Sequence, residues 1–118
     1  MAQDTRPPGK TTVSPEVLIE IARMATLKVE GVSAMAPVSG GVNRLFRRGI
    51  VDGVRITIEE DTVYVDLYVI IKDGVNIRNV SRSIQQEVSR AIQEMVGMDI
   101  GKVNIHIEDI AFETETEA

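Results

Sequence analysis

Few side chains in this sequence are equipped for chemistry, and their spacing decides which chemistry. His106 is the single histidine, and Glu108 follows two residues later. On a strand that spacing puts both on one face, with Asp66 at a matching alternating position on another strand. One imidazole and two carboxylates can hold a metal ion. They also describe a solvated polar strand face, and this reading is preferred because a single histidine seldom makes a site. The "GKTT" of residues 9–12 ends like a phosphate-binding loop. That pattern needs a glycine where Asp4 stands, and a strand before it. The chain has no cysteine, which excludes disulfides, thiolate-bound zinc and thiol catalysis. No carboxylate pair sits in an apolar run of the kind that general acids use, and no serine has a histidine evidently poised beside it. The expectation is a protein that is not an enzyme and carries neither metal nor cofactor.

Residues suited to binding are easier to find. Tyr64 and Tyr68 alternate with aliphatic residues and point to the face away from the core, together with Arg55 and His106. An open sheet face with aromatics and basic residues is how RNA-recognition domains stack bases. Here Asp66 lies between the tyrosines, Glu59 and Glu108 flank them, and the GXXG loop of KH-type domains is missing. A half-wet face stiffened by tyrosines, or a dimer seam, fits better. The second candidate is "SGGVNRLFRRGIVDG", where Leu45 and Phe46 sit among Arg44, Arg47 and Arg48. Its glycines argue against regular structure, and a long aperiodic stretch in a small domain is often functional. A linker that tucks Leu45 and Phe46 into the core edge, even with one helical turn, is one reading. The other is a docking element, with Phe46 as anchor and the arginines complementing an acidic partner.

The elements that must position these residues are legible from periodicity. "SPEV" starts a helix, with Ser14 as N-cap and Pro15 in the first turn, and Leu18, Ile21, Ala22, Ala25 and Val29 form its buried stripe. Gly31 is read as its C′ residue. Residues 11–13 could add a short strand before it, and residues 32–36 one after it. "VRITIEEDTVYVDLYVIIKDG" alternates strictly and predicts a β-hairpin turning at Glu60 and Asp61. Asn76 caps a second helix with Ile77, Val80, Ile84, Val88, Ala91, Ile92 and Met95 on one side, and Gly97 ends it. "KVNIHIEDI" is a last strand. The expected fold is an α/β (α+β) two-layer sandwich: a small mixed sheet with two helices on one face, in (β)αβ-ββαβ order, of the split βαβ, ferredoxin-like kind. The chain then reads as two weakly related helix–glycine–strand halves.

Composition agrees with one small domain. The chain has 118 residues, 43% hydrophobic and 26% charged, with a net charge of −5. That charge disfavours binding to nucleic acid or an anionic membrane without a local basic surface. Residues 1–10 read as a disordered lead, 11–110 as the domain with a mobile arginine-rich loop at 37–53, and 111–118 as an acidic tail. No signal peptide and no membrane span is visible, so a cytoplasmic protein is expected.

"SPEVLIEIARMATLKVEGV", "VYVDLYVIIKDGVNI" and "VNIHIEDI", in this order over residues 12–110, resemble the alkaline-shock, or envelope stress response, family of bacterial proteins. The resemblance implies a cytoplasmic protein of cell-envelope homeostasis with no catalytic or cofactor motif. It implies self-association, and a protein partner that is membrane-anchored or an enzyme of lipid metabolism. The leading expectation is a noncatalytic scaffold or interaction protein, a homo-oligomer held near the membrane through a partner. The alternatives are an RNA-binding regulator and a regulator of a lipid-metabolism enzyme.

Overall fold

The computed structural model describes Gly9, residues 11–37 and residues 49–112. Its order is α1 (Pro15–Leu27), β1 (Val32–Met35), β2 (Val54–Glu59), β3 (Thr62–Lys72), α2 (Ile77–Val96) and β4 (Asp99–Ala111). Residues 11–13 form no strand; Val13 instead packs, half-buried, against the core. Ser14 precedes α1 in extended conformation, but its side chain makes no capping bond; its carbonyl accepts from Val17 and Leu18. α1 closes at Lys28, so Gly31 lies beyond the cap, in the turn that enters β1. α2 follows its sequence signals more closely. The Asn76 side chain accepts from the Asn79 amide at 2.9 Å, and Gly97 ends the helix in the left-handed conformation.

β3 is the middle lane of a mixed sheet. β4 runs parallel along one of its edges. The other edge is shared. β2 pairs antiparallel with residues 62–67 and β1 antiparallel with residues 69–71. β1 and β2 therefore lie end to end, running in the same direction, and they meet at Tyr68. The Tyr68 carbonyl accepts from Ala36 N and the Tyr68 amide donates to Gly53 O, both at 2.8 Å. β1 and β2 thus share one lane, which the chain leaves after Ala36 and rejoins at Gly53. The chain comes back through Asp52 and Gly53, both at positive φ, with Val51 and Val54 exchanging two backbone bonds. That is the geometry for which Asp-Gly is a preferred pair. The two helix–strand units are not a structural repeat, since β1 is antiparallel to β3 and four residues long while β4 is parallel to it and thirteen long.

Both helices cover one face of this sheet. Leu18, Ile21, Ala22 and Ala25 of α1 and Val80, Ile84, Val88 and Ile92 of α2 close on Val63, Val65, Leu67, Val69 and Ile71 of β3. Strict alternation along β3 buries every odd position and leaves the even ones half-exposed on the other face. Among the described residues the buried polar side chain, Thr26, is satisfied by donating to the Ala22 carbonyl at 2.7 Å.

The hairpin turn between β2 and β3 places Glu60 and Asp61 at φ of 51° and 69°. Both angles suit Asn-Gly better than Glu-Asp. The double substitution Glu60→Asn with Asp61→Gly is expected to stabilise the fold by about 1 kcal/mol, read as a rise in Tm of roughly 4–8 °C by differential scanning calorimetry.

Candidate functional site

The uncovered sheet face carries the side chains with chemical potential, and the register sorts them into rungs. Thr57 faces Tyr64, and Arg55 faces Asp66, across the β2–β3 ladder. Asp66 faces Asn104, and Tyr68 faces His106, across the parallel β3–β4 ladder. The four face residues expected from the sequence, Arg55, Tyr64, Tyr68 and His106, therefore do share one surface.

The central rungs are locked together. Asp66 Oδ1 accepts from Asn104 Nδ2 at 3.2 Å and lies 3.0 Å from His106 Nε2. The imidazole in turn stacks on the Tyr68 ring, with centroids 4.4 Å apart and an interplanar angle of 11°. Such a stacked ring pair contributes about 0.5–1.5 kcal/mol beyond its buried area. The His106 and Asp66 side chains are 40% and 22% exposed, so the cluster is ordered and still wet. Arg55 brings a guanidinium to the same rung as Asp66, and its Nε is buried without a hydrogen-bond partner. Tyr64 lies across Gly101, so closely that a Cβ there would meet its ring. A glycine in an edge strand covered by a cross-strand aromatic is a recurrent stabilising device.

The metal reading of His106, Glu108 and Asp66 gains no geometry. Asp66 and His106 meet, but among the described residues no three His, Asp or Glu side chains gather within reach of one ion. Asp66 and Asn104 are the residues that sequence spacing undervalues. Asp66 looks like an interruption between two tyrosines, yet its carboxylate ties β4 to β3. The signal is present in the alternating pattern, but the β3–β4 register that uses it is not.

The docking candidates Arg44, Leu45, Phe46, Arg47 and Arg48 lie outside the described residues. The place from which that segment departs is described. Arg23, Leu27, Met35, Pro37 and Asp52 line a shallow groove of about 410 Å³ there. Glu20 hydrogen-bonds Arg23, which raises the guanidinium pKa and lowers that of the carboxyl; Asp52 adds a weaker pull on Arg23 in the same direction. Both charged heads reach solvent, so the pair orients Arg23 rather than stabilising the fold.

Among the described residues no helix is long and apolar enough to cross a membrane. The chain resembles two curated proteins over most of their lengths. It is 36% identical over 108 residues to the uncharacterized protein Spy1535 of Streptococcus pyogenes serotype M6, spanning 89% of this chain and 81% of that one. It is 32% identical over 111 residues to the uncharacterized protein YqhY of Bacillus subtilis strain 168, spanning 92% and 82%. A point variant of MamM-CTD superposes with a TM-score of 0.51 at 11% identity, covering 81% of this chain and 99% of that one, a likeness of fold alone. The sequence profile of the alkaline shock protein 23 family, described as having a cell envelope-related function, matches residues 3–112. The sequence blocks, the two-helix, four-strand fold and that match agree: the chain belongs to this cell-envelope-related family.

Proposed function

We propose that the chain is a noncatalytic interaction protein of the cell envelope, acting through self-association and protein partners. In this reading it is cytoplasmic and reaches the membrane only through an anchored partner. The observation that carries the proposal is the open sheet face, where Asp66, Asn104, Tyr68 and His106 are ordered by one another while staying half-exposed or, for Asn104, exposed, with Arg55 on the Asp66 rung. Aromatic and guanidinium groups dominate protein–protein contacts, and fixing the Tyr68 ring before contact lowers the entropy cost of association. The Asp66–His106 pair supports binding over turnover for a physical reason. Acid–base groups gain their power in water-excluded clefts, and this pair lies on an uncovered face.

The same face argues for a protein partner over RNA. One side of the Tyr68 ring is occupied by His106, and the Asp66 carboxylate sits at the centre, where it repels phosphates.

The test is in-cell crosslinking of the full chain, with partners identified by mass spectrometry and compared for wild type, Arg55→Ala and Tyr68→Ala. The expected result is that both variants stay folded, which circular dichroism checks, and lose the same crosslinked proteins, envelope-associated ones among them. Retention of every crosslink by both variants overturns the face as the gripping surface. RNA affinity that drops steeply with salt and disappears in Tyr64→Ala and Tyr68→Ala would replace this reading with the RNA-binding one.

A further inference from the structure

We propose that β4 is the seam of a homodimer, in which two copies pair their β4 strands antiparallel about a two-fold axis at Ile105. The inference rests on the self-association part of the function proposed above and gives it an address.

Three observations lead to it. The first is an open edge. β4 is the longest strand, Asp99–Ala111, and among the described residues it pairs on one side, with β3. Among the described residues the Val103 carbonyl accepts from the Gln85 side-chain amide at 3.0 Å, a bond that a second strand pairing at Val103 would share or displace. Long unpaired edges invite another strand, and natural folds usually shorten or block them.

The second is a core that thins before the edge. The inward residues of β3, from Val63 to Ile71, are 0% exposed. On β4, Val103 is 8% exposed, and Ile105 and Ile107 are only half-buried, although they point to the same helix-covered side. Apolar side chains at the margin lack cover that a neighbouring copy of the same layer would supply.

The third decides who the occupant is. β4 departs from regular pairing between Ile100 and Val103 and again between Ile107 and Asp109. The regular stretch between them, residues 103–107, is centred on Ile105. A two-fold axis there sets Val103 opposite Ile107 of the second copy, and Asn104 opposite His106. Just outside, Lys102 comes opposite Glu108, and Ile100 opposite Ile110. These four pairs join like with like or opposite charges, while Gly101 opposite Asp109 and Asp99 opposite Ala111 add no match, and each charge pair occurs twice by symmetry. Moving the axis by one residue destroys this match. On Asn104 it sets Lys102 against His106 and Ile100 against Glu108; on His106 it sets Val103 against Asp109. The strand is complementary to itself in one register.

The experiment measures association of the full chain by sedimentation velocity and native mass spectrometry. It uses wild type, Lys102→Glu, Glu108→Lys and an equimolar mixture of the two variants. Both positions are exposed, so the fold should survive, which circular dichroism checks. Wild type is expected to dimerise. Each single variant places two like-charge pairs across the seam and is expected to dimerise roughly tenfold more weakly or worse. The mixture restores attraction at both pairs, so it is expected to return to within about threefold of wild-type affinity as a heterodimer. If wild type associates and both single variants associate equally well, the seam is wrong while self-association stands. A wild type that stays monomeric at every concentration overturns both, and leaves the β4 edge to residues of its own N-terminal segment or to another protein.

Discussion

Gly53→Val is expected to cost about 3–5 kcal/mol, a large fraction of the stability of a domain this size. Two causes add. The residue sits at φ +78°, where a β-branched side chain is strained. It also sits where β1 ends and β2 begins, with no room for a side chain. An added Cβ would lie 2.8 Å from the Tyr68 carbonyl oxygen, 3.0 Å from the Met35 Cβ and 3.2 Å from the Ala36 carbonyl oxygen. Two of those three neighbours are backbone and cannot swing aside. Gly49 separates the causes. It has a similar φ of +83°, but among the described residues nothing lies within 4 Å of its would-be Cβ. Gly49→Val should therefore carry only the conformational part, on the order of 1–2 kcal/mol. Urea denaturation of the two variants side by side gives both numbers. Equal losses would mean that the joint between β1 and β2 is not packed as closely as these distances state.

That joint was not readable from the sequence, and the reason is physical. Alternation identifies strands one at a time, because it reports which side chains face the core. It carries no record of which edge of which neighbour a strand occupies. β1 and β2 were each visible, but their common partner was not, since pairing is fixed by contacts far apart along the chain. The segment between them looked like an unexplained interruption. β1 and β2 occupy a single lane, and the return to it through Asp52-Gly53 was written in a dipeptide that favours positive φ twice. The same limit applies to the open face. Arg55, Tyr64, Tyr68 and His106 could be placed on one side by parity alone. Which of them touch depended on the parallel β3–β4 register and its two irregularities, and no local signal encodes those. The helices were the most legible elements because each start, stop and buried stripe is a local property. Gly31 is the instructive exception. A glycine after a helix suggests a cap, but α1 closes three residues earlier and the glycine serves the turn into β1.

Leu67→Ala should be as damaging as the glycine change, by a different route. Leu67 is fully buried at the midpoint of the middle lane, with Val54 on one side and Ile105 on the other. Truncation there removes contacts on both flanks and toward the helices, and strands tied on two edges cannot collapse into the space. A loss of about 3–4 kcal/mol follows, in the middle of the range for buried leucines. Ile107→Ala removes a side chain of equal size from the sheet margin, where half-burial leaves less to lose, and should cost roughly 1–2 kcal/mol in dilute monomer. The contrast is a direct measurement of how the core thins from β3 to β4. It also has a concentration dependence that Leu67→Ala lacks. If a second copy covers the margin, the cost of Ile107→Ala must grow as protein concentration rises, because the wild type gains stability from association that the variant loses. Chemical denaturation at two protein concentrations well separated in dilution reads this directly. A penalty for Ile107→Ala that is the same at both would leave the half-buried margin facing water, with no neighbour to account for its isoleucines.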